Sequence, residues 1–409
     1  VITVLSNARI FDGVSENIIE NGAVVIEGDR IRDVTSGAVR LSDARVIDCR
    51  NRYLIPGLID CHVHACSPTY NLPVADHLPA SLLTSHAVRW LKGALHRGFT
   101  SVRDAGGGDV GLHLAIERGV IEGPRFFFSG KALSQTGGHS DNRPADYVPQ
   151  CGCAGYAGCT GLVVDGADAV RLVVREELRK GATQIKLMLS GGVTSPTDPM
   201  WMPQFTDDEI LAAVQEAGTR RVYVMAHAHT DDAARRCATL GVRTVEHGTD
   251  ISPETAALLA EHCTYVVPTL SPAALLERHG ARVGLPPAGV EKVKGIITLM
   301  ARSIENLTRA GVKLGIGTDL FGEEFHVMQG GELKLRGEVS PAIDVLRSAT
   351  SIGAEILQKS GELGCIRPDA LADILVLEGD PFADLGLFED AARNIPMIMK
   401  SGQFVRCSL

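Results

Sequence analysis

Hydrophobic and polar positions follow two different rhythms along this chain. Near both ends, short apolar runs rich in β-branched residues are cut by Gly and Asp turns. Val1-Ile-Thr-Val-Leu, Ala8-Arg-Ile-Phe, Ala23-Val-Val-Ile-Glu, Arg30-Ile-Arg-Asp-Val and Val46-Ile-Asp-Cys make the first set. Ala372-Asp-Ile-Leu-Val-Leu and the stretch 397–405 make the second. Such runs are strand and hairpin signals. Their likeness predicts that residues 1–55 and 358–409 pair into one small β-sandwich domain.

Residues 56–357 read differently. Helix-spaced apolar stretches at 87–96, 170–180, 207–217, 231–240, 253–262 and 301–310 alternate with short apolar runs. Those runs include Phe99-Thr-Ser-Val-Arg-Asp, Gln184-Ile-Lys-Leu-Met, Val222-Tyr-Val-Met-Ala, Thr244-Val-Glu-His and Val312-Lys-Leu-Gly-Ile-Gly-Thr-Asp. Helix, then strand, repeated in this way, is an α/β pattern and predicts a (β/α)8 TIM-like barrel. An open doubly wound sheet shares much of the rhythm.

Composition narrows the function. The chain has 409 residues, 45% hydrophobic and 22% charged, long enough for a large core plus a second module. A net charge of −9 counts against nucleic acid as a partner. No run reaches the roughly 18 apolar residues of a membrane span, so no membrane partner is expected. The chain begins at Val1 rather than Met, so we expect a trimmed N-terminus. A removed signal peptide would make the protein periplasmic or secreted; otherwise it is cytoplasmic. Ten cysteines occur without a Cys-x-x-Cys pair. Cys151, Cys153 and Cys159 cluster in a Gly-rich stretch. They are expected to form a disulfide or to be plain loop cysteines, rather than an incomplete thiolate metal site.

The candidate chemistry stands at the ends of the central apolar runs. Gly57-Leu-Ile-Asp-Cys-His62-Val-His64 carries two histidines at i and i+2. Alternate side chains of a strand share a face, so both imidazoles aim at one point. Neutral imidazole is a common ligand for zinc-like metals. Lys186, His227, His229, His247 and Asp319 end or follow further runs. In a β/α barrel the C-terminal strand ends form the active-site face, so these side chains converge only if the barrel closes. Any one of these histidines alone reads as a hydrogen-bonded structural residue, and Asp319 alone as a helix cap. Lys186 inside an apolar run is harder to dismiss, because an unpaired buried ammonium is costly.

In this order the motifs resemble the metal-dependent amidohydrolase superfamily, over nearly the whole chain. They are Pro56-Gly-Leu-Ile-Asp-Cys-His62-Val-His64, Lys186 after a strand, Ala226-His227-Ala-His229-Thr, Val245-Glu-His247-Gly and Gly317-Thr-Asp319. The resemblance implies a barrel with a small β-sandwich made from both chain ends. It also implies two divalent metal ions, usually zinc. His62, His64 and Asp319 would hold one, His227 and His247 the other, and Lys186 would bridge them as a carbamate. A carboxylated lysine is an anion and can ligate, as an ammonium cannot. A metal-bridging hydroxide would attack the amide, and Asp319 would carry its proton to the leaving amine.

Within the superfamily the chain resembles the imidazolonepropionase-related and prolidase-like subgroup. That subgroup includes Xaa-Pro dipeptidases, carboxypeptidases of N-acyl amino acids and ochratoxin-hydrolysing amidases. The matching segments are Gln135-Thr-Gly-Gly-His139-Ser-Asp, Lys186-Leu-Met-Leu-Ser-Gly-Gly-Val-Thr-Ser-Pro-Thr-Asp and Gln204-Phe-Thr-Asp-Asp-Glu. They imply a small-molecule amide or dipeptide substrate and a homo-oligomer. His139 and His229 are then substrate-binding candidates, His229 standing where many relatives carry Tyr. Met200, Trp201 and Met202 are expected either to hold an aromatic acyl group or to form a lid on a neighbouring subunit. Two alternatives stay open: a cyclic amidase or heterocycle deaminase of the imidazolonepropionase kind, and a scaffold without catalysis.

Overall fold

Strands from both ends of the chain meet in one seven-stranded sheet. Ile2–Ile10 lies parallel to Ala44–Pro56 and antiparallel to Ile19–Glu27, which pairs with Arg30–Ser36. Ala44–Pro56 continues antiparallel to Ile374–Leu377, followed by Met397–Lys400 and Gln403–Cys407. Leu5, Ile10, Val24, Leu54, Ile374 and Met397 pack into its own apolar core. The computed structural model describes residues 2–143 and 158–409, apart from 38, 40, 196, 197, 281, 284 and 286. Cys151 and Cys153 lie outside the described residues, while Cys159 is a buried free thiol.

The central residues close a barrel. Parallel strands Leu58–Val63, Phe99–Asp104 and Arg125–Phe128 form one arc. Gln184–Met188, Tyr223–Ala228, Thr244–His247 and Tyr265–Val267 form the other. Thr183 N–H donates to Phe128 O (2.9 Å) and joins the arcs on one side. The segment 314–319 joins them on the other. Gly315 N–H donates to Val266 O (2.9 Å) and Cys61 N–H donates to Ile316 O (2.7 Å).

The apolar pattern of that segment predicts a regular strand, yet it makes only an isolated bridge, Leu314 to Val266. Gly317 packs closely against both neighbouring strands. A Cβ there would stand 2.6 Å from both His62 Cβ and Val267 Cγ1, closer than any side chain allows. The backbone is pressed against its neighbours, which brings Asp319 next to His62.

Most barrel strands are buried along their whole length, as expected for a parallel sheet covered by helices. The covering helices are amphipathic. Ala167–Arg179, for example, buries Val170, Val174 and Leu178, spaced four apart on one face. Two short strands, Ala132–Ser134 and Gly161–Val163, extend the second arc beside Leu187 and lead the loop bearing His139 to the barrel mouth. Among the described residues no helix is long and apolar enough to cross a membrane.

Candidate active site

One cavity at the C-terminal ends of the strands is lined by His62, His64, Lys186, His227, His247 and Asp319, with His139 and His229 beside them. Its empty volume is about 780 Å³, counting the open mouth.

The first ligand-type group is His62, His64 and Asp319, whose donor atoms all lie within 4.8 Å of one another. Asp319 Oδ1 stands 3.6 Å from His62 Nε2 and 3.5 Å from His64 Nε2. The other ring nitrogens are held from outside. His62 Nδ1 pairs with Glu246 Oε2 (2.7 Å) and His64 Nδ1 with Gly106 O (2.9 Å). A carboxylate and a carbonyl only accept, so each Nδ1 carries the proton and each Nε2 turns its lone pair inward. Asp319 adopts φ 46° and donates its N–H to His62 O (2.8 Å). Left-handed backbone at a non-glycine residue persists where the surroundings fix it, often at functional sites.

The second group is His227, His229 and His247, again with donor atoms within 4.8 Å. His247 also has positive φ, 72°, and its Nδ1 pairs with Thr269 Oγ1 (2.8 Å). The His62 and His247 ring centroids are 5.0 Å apart, which joins the two groups.

Burial dominates the electrostatics. It holds His62, His64, His227, His229 and His247 below the usual imidazole range, so the rings are neutral at pH 7. Burial likewise lowers the Lys186 ammonium, against Glu246 and Asp319, and raises the Asp319 carboxyl, against Lys186. Neutral imidazoles with inward lone pairs, an adjacent carboxylate and a buried lysine form a donor set that fits metal ions.

His139 is fixed as tightly. Its N–H donates to Gln204 Oε1 (2.9 Å), its Nδ1 meets Ser195 Oγ (2.8 Å) and Asp198 Oδ2 (3.3 Å), and its ring stacks on His227 at 4.1 Å. Burial raises the Asp198 carboxyl, but His139, Ser195 and Lys292 outweigh it and hold it below the usual range. Lys292 donates to the carbonyls of Gly192 (2.9 Å) and Asp198 (2.8 Å), which clamps the loop behind His139.

Several working residues escaped the sequence reading. Arg103, fully buried, donates to Glu246 Oε1 (2.9 Å) and to Cys61 O (2.6 Å). Asp60 accepts from His62 N–H (3.1 Å), Thr318 Oγ1 (2.6 Å) and Gln329 Nε2 (2.9 Å), tying the backbones that carry His62 and Asp319. A signal for Gly106 was available in Gly106-Gly-Gly108-Asp-Val-Gly111. This turn wraps the Asp104 carboxylate, which accepts from the N–H of Gly106 and Gly108 (3.0 and 2.9 Å). The Met200–Met202 segment does not line the cavity, and Trp201 is 73% exposed. The apolar wall comes instead from Leu276, Val293, Ile296 and Met300, with Phe321 opposite His64.

A closed barrel with imidazoles and an aspartate at its strand ends defines a metal-dependent hydrolase architecture, and comparison with known proteins agrees. The profile of the amidohydrolase family matches residues 53–405, and the chain belongs to that family. It is a hydrolase of amide bonds. It is 30% identical over 374 residues to the ochratoxinase of Aspergillus niger, covering 86% of this chain and 75% of that protein. A prolidase solved with N-methylphosphonate-L-proline is 45% identical, with TM-score 0.95 and 100% of both chains covered. A Xaa-Pro dipeptidase with methionine in its active site is 29% identical, with TM-score 0.89, covering 99% of this chain and 100% of that one.

Proposed function

We propose that this protein hydrolyses the amide bond of an N-acyl amino acid or dipeptide, releasing an amino acid with a free carboxylate. The observation that carries the reading is the convergence of two ligand groups and Lys186 on one cavity. In this reading His62, His64 and Asp319 hold one divalent cation and His227 and His247 the other. Lys186, which lines the same cavity, would join the two sites as a carbamate, which removes the cost of a buried ammonium. Zinc suits so imidazole-rich a donor set. When bound, the cations lower the pKa of a water and polarise the scissile carbonyl.

The side chains do the rest. Asp319 takes the proton of the attacking water and returns it to the leaving nitrogen as the C–N bond breaks. His139, held by Ser195, Asp198 and Gln204, faces the cavity and contacts the substrate carboxylate or the developing oxyanion. His229 lines the wall beside it. The apolar wall of Leu276, Val293, Ile296 and Met300 takes the hydrophobic part of the substrate.

Release of amino acids by zinc-loaded protein from a panel of dipeptides and N-acyl amino acids tests the proposal. Selective release that disappears on chelation and returns with metal is the expected result. Silence across the whole panel, with full metal content, would reject it.

A further inference from the structure

The chain repeats one device on two strands. His62-Val-His64 ends Leu58–Val63, and His227-Ala-His229 ends Tyr223–Ala228. In the first pair the proposed function uses both rings as ligands, with Asp319 as third donor. The second pair has the same i, i+2 spacing and its own third donor, His247.

His229 is oriented like a ligand. Its backbone N–H donates to Ser190 Oγ (2.9 Å), which fixes its position just past the strand. Its Nδ1 pairs with Thr249 Oγ1 (2.7 Å). Among the described residues its Nε2 makes no hydrogen bond, although the ring is buried. The ring stacks on His247 at 4.9 Å and 16° and meets His227 edge-on at 4.5 Å. His247 has the same arrangement, with its Nδ1 on Thr269 Oγ1 and Nε2 left over. His227 keeps Nδ1 over, its Nε2 lying 3.3 Å from Gly191 O. Three outer nitrogens have partners, and three others have none.

We infer that His229 is a third imidazole ligand of the second metal rather than a substrate contact. That site is then a three-histidine site, which rests on the binuclear reading above but adds a donor to it. Two consequences separate the inference from that reading. The second metal has three imidazoles of its own and does not rely on Lys186 alone for a further donor. A set dominated by imidazole nitrogen also favours zinc or cobalt over manganese or magnesium.

Metal content and affinity, measured by titration with zinc or cobalt against a competing chelator, test the idea without an activity assay. The wild-type protein should bind two ions per chain. His229→Ala should keep one ion at wild-type affinity and bind the other at least 10-fold more weakly, with a changed visible spectrum of the cobalt form. In His229→Gly, added imidazole should restore the second ion. His229→Asn, which preserves a donor for Thr249 Oγ1, serves as a second variant should the alanine form fold poorly. Two ions at wild-type affinity in a folded His229 variant, with only KM raised, would overturn the inference and make His229 a substrate contact. Fewer than two ions in the wild-type protein would instead overturn the binuclear reading, and this inference with it.

Discussion

Glu246 Oε2 lies 2.7 Å from His62 Nδ1, and both side chains are buried. The same carboxylate receives Arg103 at 2.9 and 3.0 Å and Thr244 Oγ1 at 2.5 Å. Arg103 also reaches Cys61 O, next to His62 in the strand. The guanidinium thus holds the carboxylate, and the carboxylate holds the imidazole. Such outer partners set the tautomer and angle of a ligand, and losing one costs about 10–100-fold in metal affinity. Glu246→Gln should show that loss in a chelator-competition titration. It also leaves Arg103 charged and unpaired in the interior, so unfolding in urea should lose about 3–5 kcal/mol. Wild-type affinity in a folded Glu246→Gln protein would remove Glu246 from the metal site.

Lys186 offers a sharper chemical test. Its strand is fully buried and its side chain lines the cavity. Lys186→Ala should lower kcat by about 100-fold or more, since under the proposed function it removes the carbamate that would position both cations. Lys186→Arg should be equally inactive, because a guanidinium keeps the charge but forms no carbamate. Reloading of metal-stripped wild-type protein should be faster with added bicarbonate, and neither variant should respond to it. Full activity in Lys186→Ala would remove the bridging role.

The legible part of this protein was the part with short-range spacing. His62 and His64, or His227 and His229, announce themselves at i, i+2, and the helix–strand rhythm supplied the barrel that brings them together. Glu246 stands inside the Val245-Glu-His247-Gly motif, but its role depends on Arg103, a residue 143 positions away that no local pattern connects to it. The apolar wall is hard to read for a related reason. Met200, Trp201 and Met202 are conspicuous in sequence, whereas Leu276, Val293, Ile296 and Met300 look like ordinary helix-core residues. Apolar side chains facing a cavity and facing a core obey the same periodicity. Segment 314–319 shows the opposite error: its pattern is strand-like, yet it makes only an isolated bridge, Leu314 to Val266.

Glu332 gives a pH dependence outside the metal site. Its carboxylate accepts from Leu270 N–H (3.0 Å), Ser271 N–H (2.7 Å) and Ser271 Oγ (2.7 Å) at the start of the helix Leu270–His279. Burial outweighs these donors and Arg336, and pushes the carboxyl from its ordinary 4.5 to about 7. A raised folded pKa means that the folded chain prefers the protonated form. Its contribution is fully present below the unfolded value and is lost as pH rises through about 7. The loss should amount to about 3 kcal/mol between pH 5 and 8. Glu332→Gln should be less pH-sensitive than wild type across that window. Parallel urea midpoints for the two proteins check this, and identical pH slopes would contradict it.

The apolar wall makes the last prediction, one that separates two surfaces. Met300 is buried and lines the cavity, on the helix Ile296–Arg309 that also supplies Ile296. Met300→Ala should lower kcat/KM for substrates with a bulky apolar group by about 5–150-fold, the range that 1–3 kcal/mol of lost hydrophobic contact allows. Small substrates should be affected less, because they do not reach the wall. Met300→Leu, close in volume, should retain most of the activity and so exclude a general packing defect. Trp201→Ala should stay within about 2-fold of wild type, since a surface side chain outside the cavity has little contact to lose. An equal loss in Trp201→Ala and Met300→Ala would mean that the 200–202 segment closes over the bound substrate, and that the wall assigned to the helices is incomplete.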